Sequence, residues 1–159
     1  LRYFQTRQAG TCYPAGGIGA MSMAPPAAIA AKLLFPQKPC VSVCGDGGMA
    51  MQIHALSTAK QYGAAAIFIV MNDSVLGAVR DGQGDHPMAA DFIDTNFAEI
   101  ARAFGCRGVR IKTPQEIAPA LKEALQSTEP FVIDILTYKD ERIRDRLRAP
   151  FAKQALANI

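Results

Sequence analysis

The fold can be predicted from residues 39–73, which read PCVSVCGDGGMAMQIHALSTAKQYGAAAIFIVMND. Two short apolar runs of strand length, residues 39–44 and 65–71, flank a segment of helix length at residues 49–62. This order is typical of a βαβ unit whose two strands are parallel. Since a right-handed crossover lays the second strand beside the first and pointing the same way, the residues that follow the two strands should meet at one edge of the sheet.

Asp46 and Asp73 are the residues that follow these strands, and Gly47 and Gly48 open the intervening helix. Glycines leave backbone N–H groups and the positive end of the helix dipole open to an anion. Two neighbouring carboxylates would repel that anion unless a cation lay between them, and Mg²⁺ prefers carboxylate and phosphate oxygens. The sequence therefore predicts a diphosphate bridged by a metal ion at this edge of the sheet.

The remaining sequence continues the alternation of helices and strands. Pro25 and Pro26 precede an Ala-rich helix that should reach residue 35. Thr113, followed by proline and then by Glu116, forms a capping box that should open another helix. The further expected elements are a helix at 95–104 that stops at Gly105, a strand at 107–111, the capped helix to 127 and a strand at 130–137.

These elements predict an α/β fold, an open parallel sheet with helices on both faces and flavodoxin-like layering. With 159 residues, of which 50% are hydrophobic, the chain can bury one sizeable core. We expect one domain at residues 1–138 and a charged, helical tail at residues 139–159. The chain begins with Leu1 rather than a start methionine, so we expect a piece of a larger protein or a processed end.

Composition excludes several classes of protein. The sequence contains no apolar run long enough to span a membrane and no secretory signal layout. The net charge of +3 is mild, and no basic stripe with interleaved aromatic residues indicates nucleic-acid binding. The four cysteines include no Cys-x-x-Cys pair, which argues against a zinc site and favours buried thiols in the cytoplasm.

The spacing of Gly45-Asp46-Gly47 and Asn72-Asp73, about two dozen residues apart, resembles the signature of thiamine diphosphate-dependent enzymes, in their diphosphate-binding (PP) domain. Residues 74–77 are closest to the acetolactate synthase and 2-oxo acid decarboxylase branch. The resemblance implies that Asp46, the side chain of Asp73 and the main-chain carbonyl of Val75 bind Mg²⁺. The family usually has Asn where this chain has Asp73, a change that keeps an oxygen ligand and adds a negative charge.

The resemblance also gives a meaning to the glycine-rich segment before the first helix. Gly19 would offer its backbone carbonyl to the aminopyrimidine, and Met21 would hold the cofactor in a bent shape that brings the amine against the reactive carbon. The cofactor-binding residues that it implies are Gly19, Ala20, Met21, Gly45, Asp46, Gly47, Gly48, Asp73, Val75, Leu76 and Gly77.

Residues 78–91 are rich in glycine and polar residues and predict a loop at the same sheet edge. One interpretation is a substrate-facing loop in which Arg80, Gln83 or His86 meets a carboxylate, and the other is a solvated connector; the sequence favours neither. His54 lies on the predicted helix at 49–62, where a lone histidine is more often a surface residue than a catalyst.

By the resemblance, the complete enzyme would add a thiamine diphosphate carbanion to a 2-oxo acid, followed by decarboxylation, carboligation or both. The activating glutamate would come from a pyrimidine-binding (PYR) domain or subunit, because all five glutamates here fall at or after Glu99, outside any matching motif. We therefore expect weak metal and diphosphate binding by the isolated chain, no turnover, no catalytic residue of its own and an oligomeric assembly. The alternatives are a Rossmann-type nucleotide binder, disfavoured because Gly-x-Gly-x-x-Gly is missing, and a non-catalytic phosphate-binding relative.

Overall fold

Strands and helices alternate along residues 5–138, the part of the chain that this computed structural model describes. In chain order the elements are α1 (Ala24–Leu34), β1 (Val41–Gly45), α2 (Asp46–Met51), α3 (Ala55–Gln61), β2 (Ile67–Asn72), α4 (Gly77–Gln83), α5 (Phe97–Ala103), β3 (Arg107–Ile111), a 3₁₀ turn (Pro114–Glu116), α6 (Ile117–Gln126) and β4 (Phe131–Leu136). The basic tail expected from residue 139 lies outside the described residues.

The strands within residues 5–138 form one four-stranded sheet in the order β1-β2-β4-β3, and all neighbours are parallel. Strands β1 and β2 pair over their whole length, with Val41 beside Ile67 and Gly45 beside Met71. The predicted βαβ unit is therefore confirmed. Because every strand runs the same way, the segments that follow β1 and β2 leave from the same edge of the sheet.

Helices cover both faces of the sheet, as expected for the α/β class. Phe68 and Val70 face α1, α3 and α5, where Leu56 and Phe97 are also buried. Their neighbours in β2 point the other way, and Ile67 packs with Ala120 and Ala124 of α6. This alternation is the two-residue period of a strand, and burial of a side chain such as Phe68 contributes about 2–3 kcal/mol.

The helix expected at residues 49–62 is instead two helices, so that prediction was wrong in its continuity. Helix α2 begins directly at Asp46, and α3 begins at Ala55. Between them the N–H groups of Gln52, Ala55 and Leu56 bond to carbonyls three residues back, at 3.1, 2.9 and 3.2 Å. This tighter pattern interrupts the helical hydrogen-bond ladder and changes the helix direction.

The loop expected at residues 78–91 contains a helix, so that prediction was also wrong in part. Helix α4 occupies Gly77–Gln83, with all seven residues at least partly exposed, and Gly84 ends it with φ of 66°. Glycine in a helix interior costs only about 1 kcal/mol, so Gly82 does not prevent a short helix. Residues 84–91 form the remaining loop.

Capping interactions begin two of the helical segments. Thr113 and Glu116 form the expected capping box, with the Glu116 carboxylate accepting from the Thr113 N–H at 2.9 Å. Asn96 caps α5 by accepting from the Glu99 N–H at 3.1 Å.

Among residues 5–138, none of the helices is long and apolar enough to span a bilayer.

Candidate functional site

Asp46 is the first residue of α2 and is buried, with 3% of its surface exposed. Its Oδ1 accepts a hydrogen bond from the Gly47 N–H at 2.6 Å. Its Oδ2 accepts from the N–H groups of Asp73 and Ser74, at 3.1 and 2.7 Å. One carboxylate thus joins the end of β1 to the turn that follows β2.

Asp73 lies directly after β2, and its Oδ1 accepts from the Val75 N–H at 3.3 Å. Burial raises the pKa of Asp73, and the negative charge of Asp46 raises this pKa further. Ser74 has φ of 58°, the left-handed conformation that reverses the chain here. The structure therefore brings the two predicted carboxyl groups together at one sheet edge, where they repel each other.

The donor set at this edge suits a hard divalent cation. An ionised carboxylate has about four lone-pair directions, and backbone N–H groups occupy three of those of Asp46. Within residues 5–138, the His, Cys, Asp and Glu side chains form no cluster of three or more that could hold a metal ion. A cation between Asp46 and Asp73 would therefore need a main-chain carbonyl or oxygens of a ligand to complete its coordination.

Gly47 and Gly48 are packed so closely that a larger residue would not fit unchanged. A Cβ at Gly48 would lie 2.7 Å from the Met21 carbonyl oxygen, and one at Gly47 would overlap the Leu76 side chain and lie 3.2 Å from Met21 Cε. Three separate segments, around residues 21, 47 and 76, therefore meet at the site.

The Gly47 N–H, which the sequence predicts to be an anion donor, donates to the Asp46 Oδ1. Helix α2 also has only six residues, so its dipole is small. An anion at this edge would depend on a cation more than on the helix terminus.

The remaining cofactor candidates lie around the same edge. Gly19 adopts φ of 65°, Met21 is 48% exposed, and Ala20 lies between them. Gly45 ends β1 and Gly77 opens α4. Val75 is buried and pairs with Asp91 in an isolated antiparallel bridge that ties residues 74–76 to residues 90–92.

Two of the three substrate candidates have intramolecular partners. Arg80 forms an ion pair with Asp91 at 3.4 Å. Gln83 donates to the Met88 carbonyl at 3.0 Å and accepts from the Met88 N–H at 2.9 Å. His86 is exposed in the loop that these contacts shape, and the assignment of all three to the substrate stays a prediction. His54 is exposed in the turn before α3, as expected for a surface histidine.

Two buried polar residues beside the site were missed by the sequence reasoning. Asn72, the last residue of β2, donates from Nδ2 to Oδ1 of Asp134 at 2.9 Å, and both side chains are at most 1% exposed. Burial raises the pKa of Asp134, while the Asn72 hydrogen bond and the Arg110 charge oppose that rise. The sequence does contain an indication of this pair, because Asp134 is the one polar residue in the otherwise apolar strand Phe131–Leu136.

Comparison with known proteins gives consistent results. Residues 1–135 match the family model "Thiamine pyrophosphate enzyme, C-terminal TPP binding domain". The chain is 36% identical over 134 residues to an acetolactate synthase large subunit of Haemophilus influenzae, covering 80% of this chain and 23% of that protein. It is 33% identical over 114 residues to a putative thiamine pyrophosphate-containing protein of Bacillus subtilis, covering 70% and 20%.

A solved structure is similar as well. The thiamine diphosphate-dependent 4-hydroxybenzoylformate decarboxylase of Rhodococcus jostii RHA1 superposes with a TM-score of 0.67 at 31% identity, over 73% of this chain and 23% of that one. The chain therefore spans about a fifth to a quarter of the length of these proteins.

Proposed function

Because the chain belongs to the thiamine pyrophosphate enzymes, as their C-terminal cofactor-binding domain, we propose that Asp46, Asp73 and the main-chain carbonyl of Val75 hold a Mg²⁺ ion for the cofactor's diphosphate. The observation that carries this proposal is the meeting of Asp46 and Asp73 at one sheet edge, where burial and then the charge of Asp46 raise the pKa of Asp73. A divalent cation offsets that repulsion, and the diphosphate oxygens complete its coordination.

The segments packed against the two glycines would hold the rest of the cofactor. In this proposal the Gly19 carbonyl accepts from the aminopyrimidine, and Met21, whose side chain lies beside Gly47, supports the bent conformation. Leu76, which also contacts Gly47, contributes an apolar surface. When bound, thiamine diphosphate supplies a carbon nucleophile for the carbonyl of a 2-oxo acid.

The complete protein would cleave or form a C–C bond next to a carbonyl, in the manner of an acetolactate synthase or a 2-oxo acid decarboxylase. An acetolactate synthase large subunit and the solved structure of a 4-hydroxybenzoylformate decarboxylase are both similar to this chain and support this proposal. The free thiols of all four cysteines support a cytoplasmic location for the assembly.

A partner domain of the pyrimidine-binding type would supply the activating glutamate, in an oligomeric assembly. Three of the four glutamates within residues 5–138 have contacts away from the proposed site. Glu116 caps a helix, Glu123 pairs with Arg107, and Glu129 pairs with Lys60. These contacts favour an activating group from outside this domain.

Calorimetric titration of the protein with thiamine diphosphate, with and without Mg²⁺, tests the proposal. We expect binding that requires Mg²⁺ and is lost in Asp46→Ala, because this change removes one ion ligand and three hydrogen bonds. Binding of NADH in place of thiamine diphosphate would favour a nucleotide-binding domain. Binding of neither ligand would favour a non-catalytic relative.

A further inference from the structure

Four polar or charged residues are buried within residues 5–138: Ser42, Asp46, Asn72 and Asp134. Three of them form one connected network, because Asp134 bonds to Asn72 and Asn72 directly precedes the turn that bonds to Asp46. Removing a carboxylate from water is costly, and an apolar residue in its place is often as stable or more so. Stability alone therefore does not account for Asp134.

Both carboxylate oxygens of Asp134 accept hydrogen bonds, one from the last residue of β2 and one from the first residue of α5. Oδ1 accepts from Asn72 Nδ2 at 2.9 Å, and Oδ2 accepts from the Phe97 N–H at 3.1 Å. Arg110 Nε lies 3.6 Å from Oδ2 and partly balances the charge. Asp134 thus connects the end of β2 to the start of α5 from a position in the neighbouring strand β4.

Asn72 extends the network to the metal-binding turn. Its Nδ2 also donates to the Thr95 carbonyl at 2.9 Å, and its own carbonyl accepts from the Thr137 N–H at 2.7 Å. Because both the side-chain NH₂ and the main-chain carbonyl of Asn72 are hydrogen-bonded, the direction in which the chain leaves β2 is fixed. The next two N–H groups, of Asp73 and Ser74, then point at Asp46.

We propose that Asp134 is a positioning residue that acts through Asn72 to fix the turn at residues 73–75 against Asp46. This inference rests on the proposed function, in which the same turn supplies two of the three protein ligands to the ion. The carboxylate is required because both of its oxygens face donors. An asparagine at this position would direct an NH₂ group at one of those donors.

The test compares Asp134→Asn with Val132→Ala in the full-length protein. Val132 is a matched control, since it is fully buried two residues earlier in β4 on the same face of the sheet and has no polar atom in its side chain. The first readout is hydrogen exchange of the Asp73 and Ser74 amides without metal, relative to the Val70 amide in the core of β2. The second is the affinity and the EPR line shape of Mn²⁺ in the presence of thiamine diphosphate.

For Asp134→Asn we expect faster relative exchange at both amides, about tenfold weaker Mn²⁺ binding and an altered EPR line shape. Val132→Ala should lower Tm and leave the relative exchange rates, the Mn²⁺ affinity and the EPR line shape unchanged. The inference would be overturned if the Asp73 and Ser74 amides of Asp134→Asn exchanged at the wild-type rate, or if the two variants showed equal changes in exchange and Mn²⁺ binding. Asp134 would then have a structural role only.

The two readouts separate this inference from the proposed function. If the wild-type protein bound no Mn²⁺ with thiamine diphosphate, the proposed function would fail, and the exchange rates would still decide whether Asp134 fixes the turn. If Asp134→Asn did not fold, Asn72→Ser would replace it, since serine is too short to bridge Asp134 and Thr95. Fast relative exchange is expected there as well, and wild-type exchange would overturn the inference.

Discussion

The Oδ2 atom of Asp46 accepts a hydrogen bond of 3.1 Å from the backbone N–H of Asp73, although the two residues follow different strands. The same carboxylate orders the turn that carries Asp73 and, by its charge, adds to the rise that burial causes in the pKa of the Asp73 side chain. The Asp46 carboxylate therefore both orders this turn and repels the Asp73 carboxylate. A bound cation would leave the turn ordered and would cancel the repulsion.

Asp73→Asn separates these effects. The change removes the repulsion but keeps an oxygen, so we expect a higher Tm than wild type at neutral pH in the absence of metal. With thiamine diphosphate present, Mg²⁺ affinity should fall by about tenfold because the site loses one negative charge. Differential scanning calorimetry and Mg²⁺ titration measure the two effects.

Asp85→Asn is the matched control, because it removes the same charge from an exposed position in the loop after α4. It should leave both Tm and Mg²⁺ affinity close to wild type. Equal changes in the two variants would show that net charge, rather than contact with the ion, sets the affinity.

Gly48 and Gly47 have different neighbours, so their alanine variants should differ in stability. Gly48→Ala meets the Met21 carbonyl, a backbone atom that cannot rotate away, so we expect a loss of about 1–3 kcal/mol of stability and weaker cofactor binding. Gly47→Ala meets flexible ends of Leu76 and Met21. This variant should change stability little, and it should weaken cofactor binding because it displaces those side chains.

Gly108→Ala is the control, because it should lower stability without changing cofactor affinity. A Cβ there would lie 2.9 Å from Ala98 Cα and would push α5 away from β3. We expect a stability loss similar to that of Gly48→Ala in urea unfolding, with unchanged cofactor affinity in calorimetry. Weakened cofactor binding in Gly108→Ala would mean that affinity follows stability, and the site-specific explanation would be wrong.

Met21→Ala should lower turnover more than it lowers cofactor affinity, since its proposed role is to hold the bent conformation rather than the diphosphate. The comparison requires kcat and the thiamine diphosphate Kd of the assembled enzyme. Ile18→Ala is a suitable control, because Ile18 is 97% exposed three residues earlier. Equal losses of kcat and affinity in Met21→Ala would count against this role.

The capping box gives a pH-dependent prediction. Hydrogen bonds from the backbone N–H groups of Lys112 and Thr113 lower the pKa of Glu116 below its usual value. A lowered folded-state pKa means that the carboxylate stabilises the fold above its ordinary pKa and loses this effect as pH falls through the folded value. The Tm difference between wild type and Glu116→Gln should therefore be constant near neutral pH and should shrink on acidification, while a difference that grew in acid would contradict the assignment.

The sequence was informative where local chemistry determines the structure. Strand β3 was expected at residues 107–111 and has those bounds, because the short segment between the helix stop at Gly105 and the Thr113 cap leaves few alternatives. The meeting of Asp46 and Asp73 follows from the parallel pairing of the two strands of a βαβ unit, whose carboxyl ends lie at the same edge of the sheet. Neither result requires knowledge of distant contacts.

The features that were missed are not indicated by the residue types of their own segments. The break between α2 and α3 has no proline or helix-ending glycine to announce it, since the turn uses Gln52, Ile53 and His54. Helix α4 forms in a glycine-rich stretch whose following loop is tied back by Arg80 to Asp91 and by Gln83 to Met88. Partners of this kind cannot be read from local propensity.

Anomalous diffraction from the protein with Mn²⁺ and thiamine diphosphate would locate the ion itself. We expect one peak within coordination distance of the carboxylates of Asp46 and Asp73 and of the Val75 carbonyl, adjacent to the cofactor's diphosphate. A peak that contacts only one of the two carboxylates, or cofactor bound with no peak between them, would contradict this expectation.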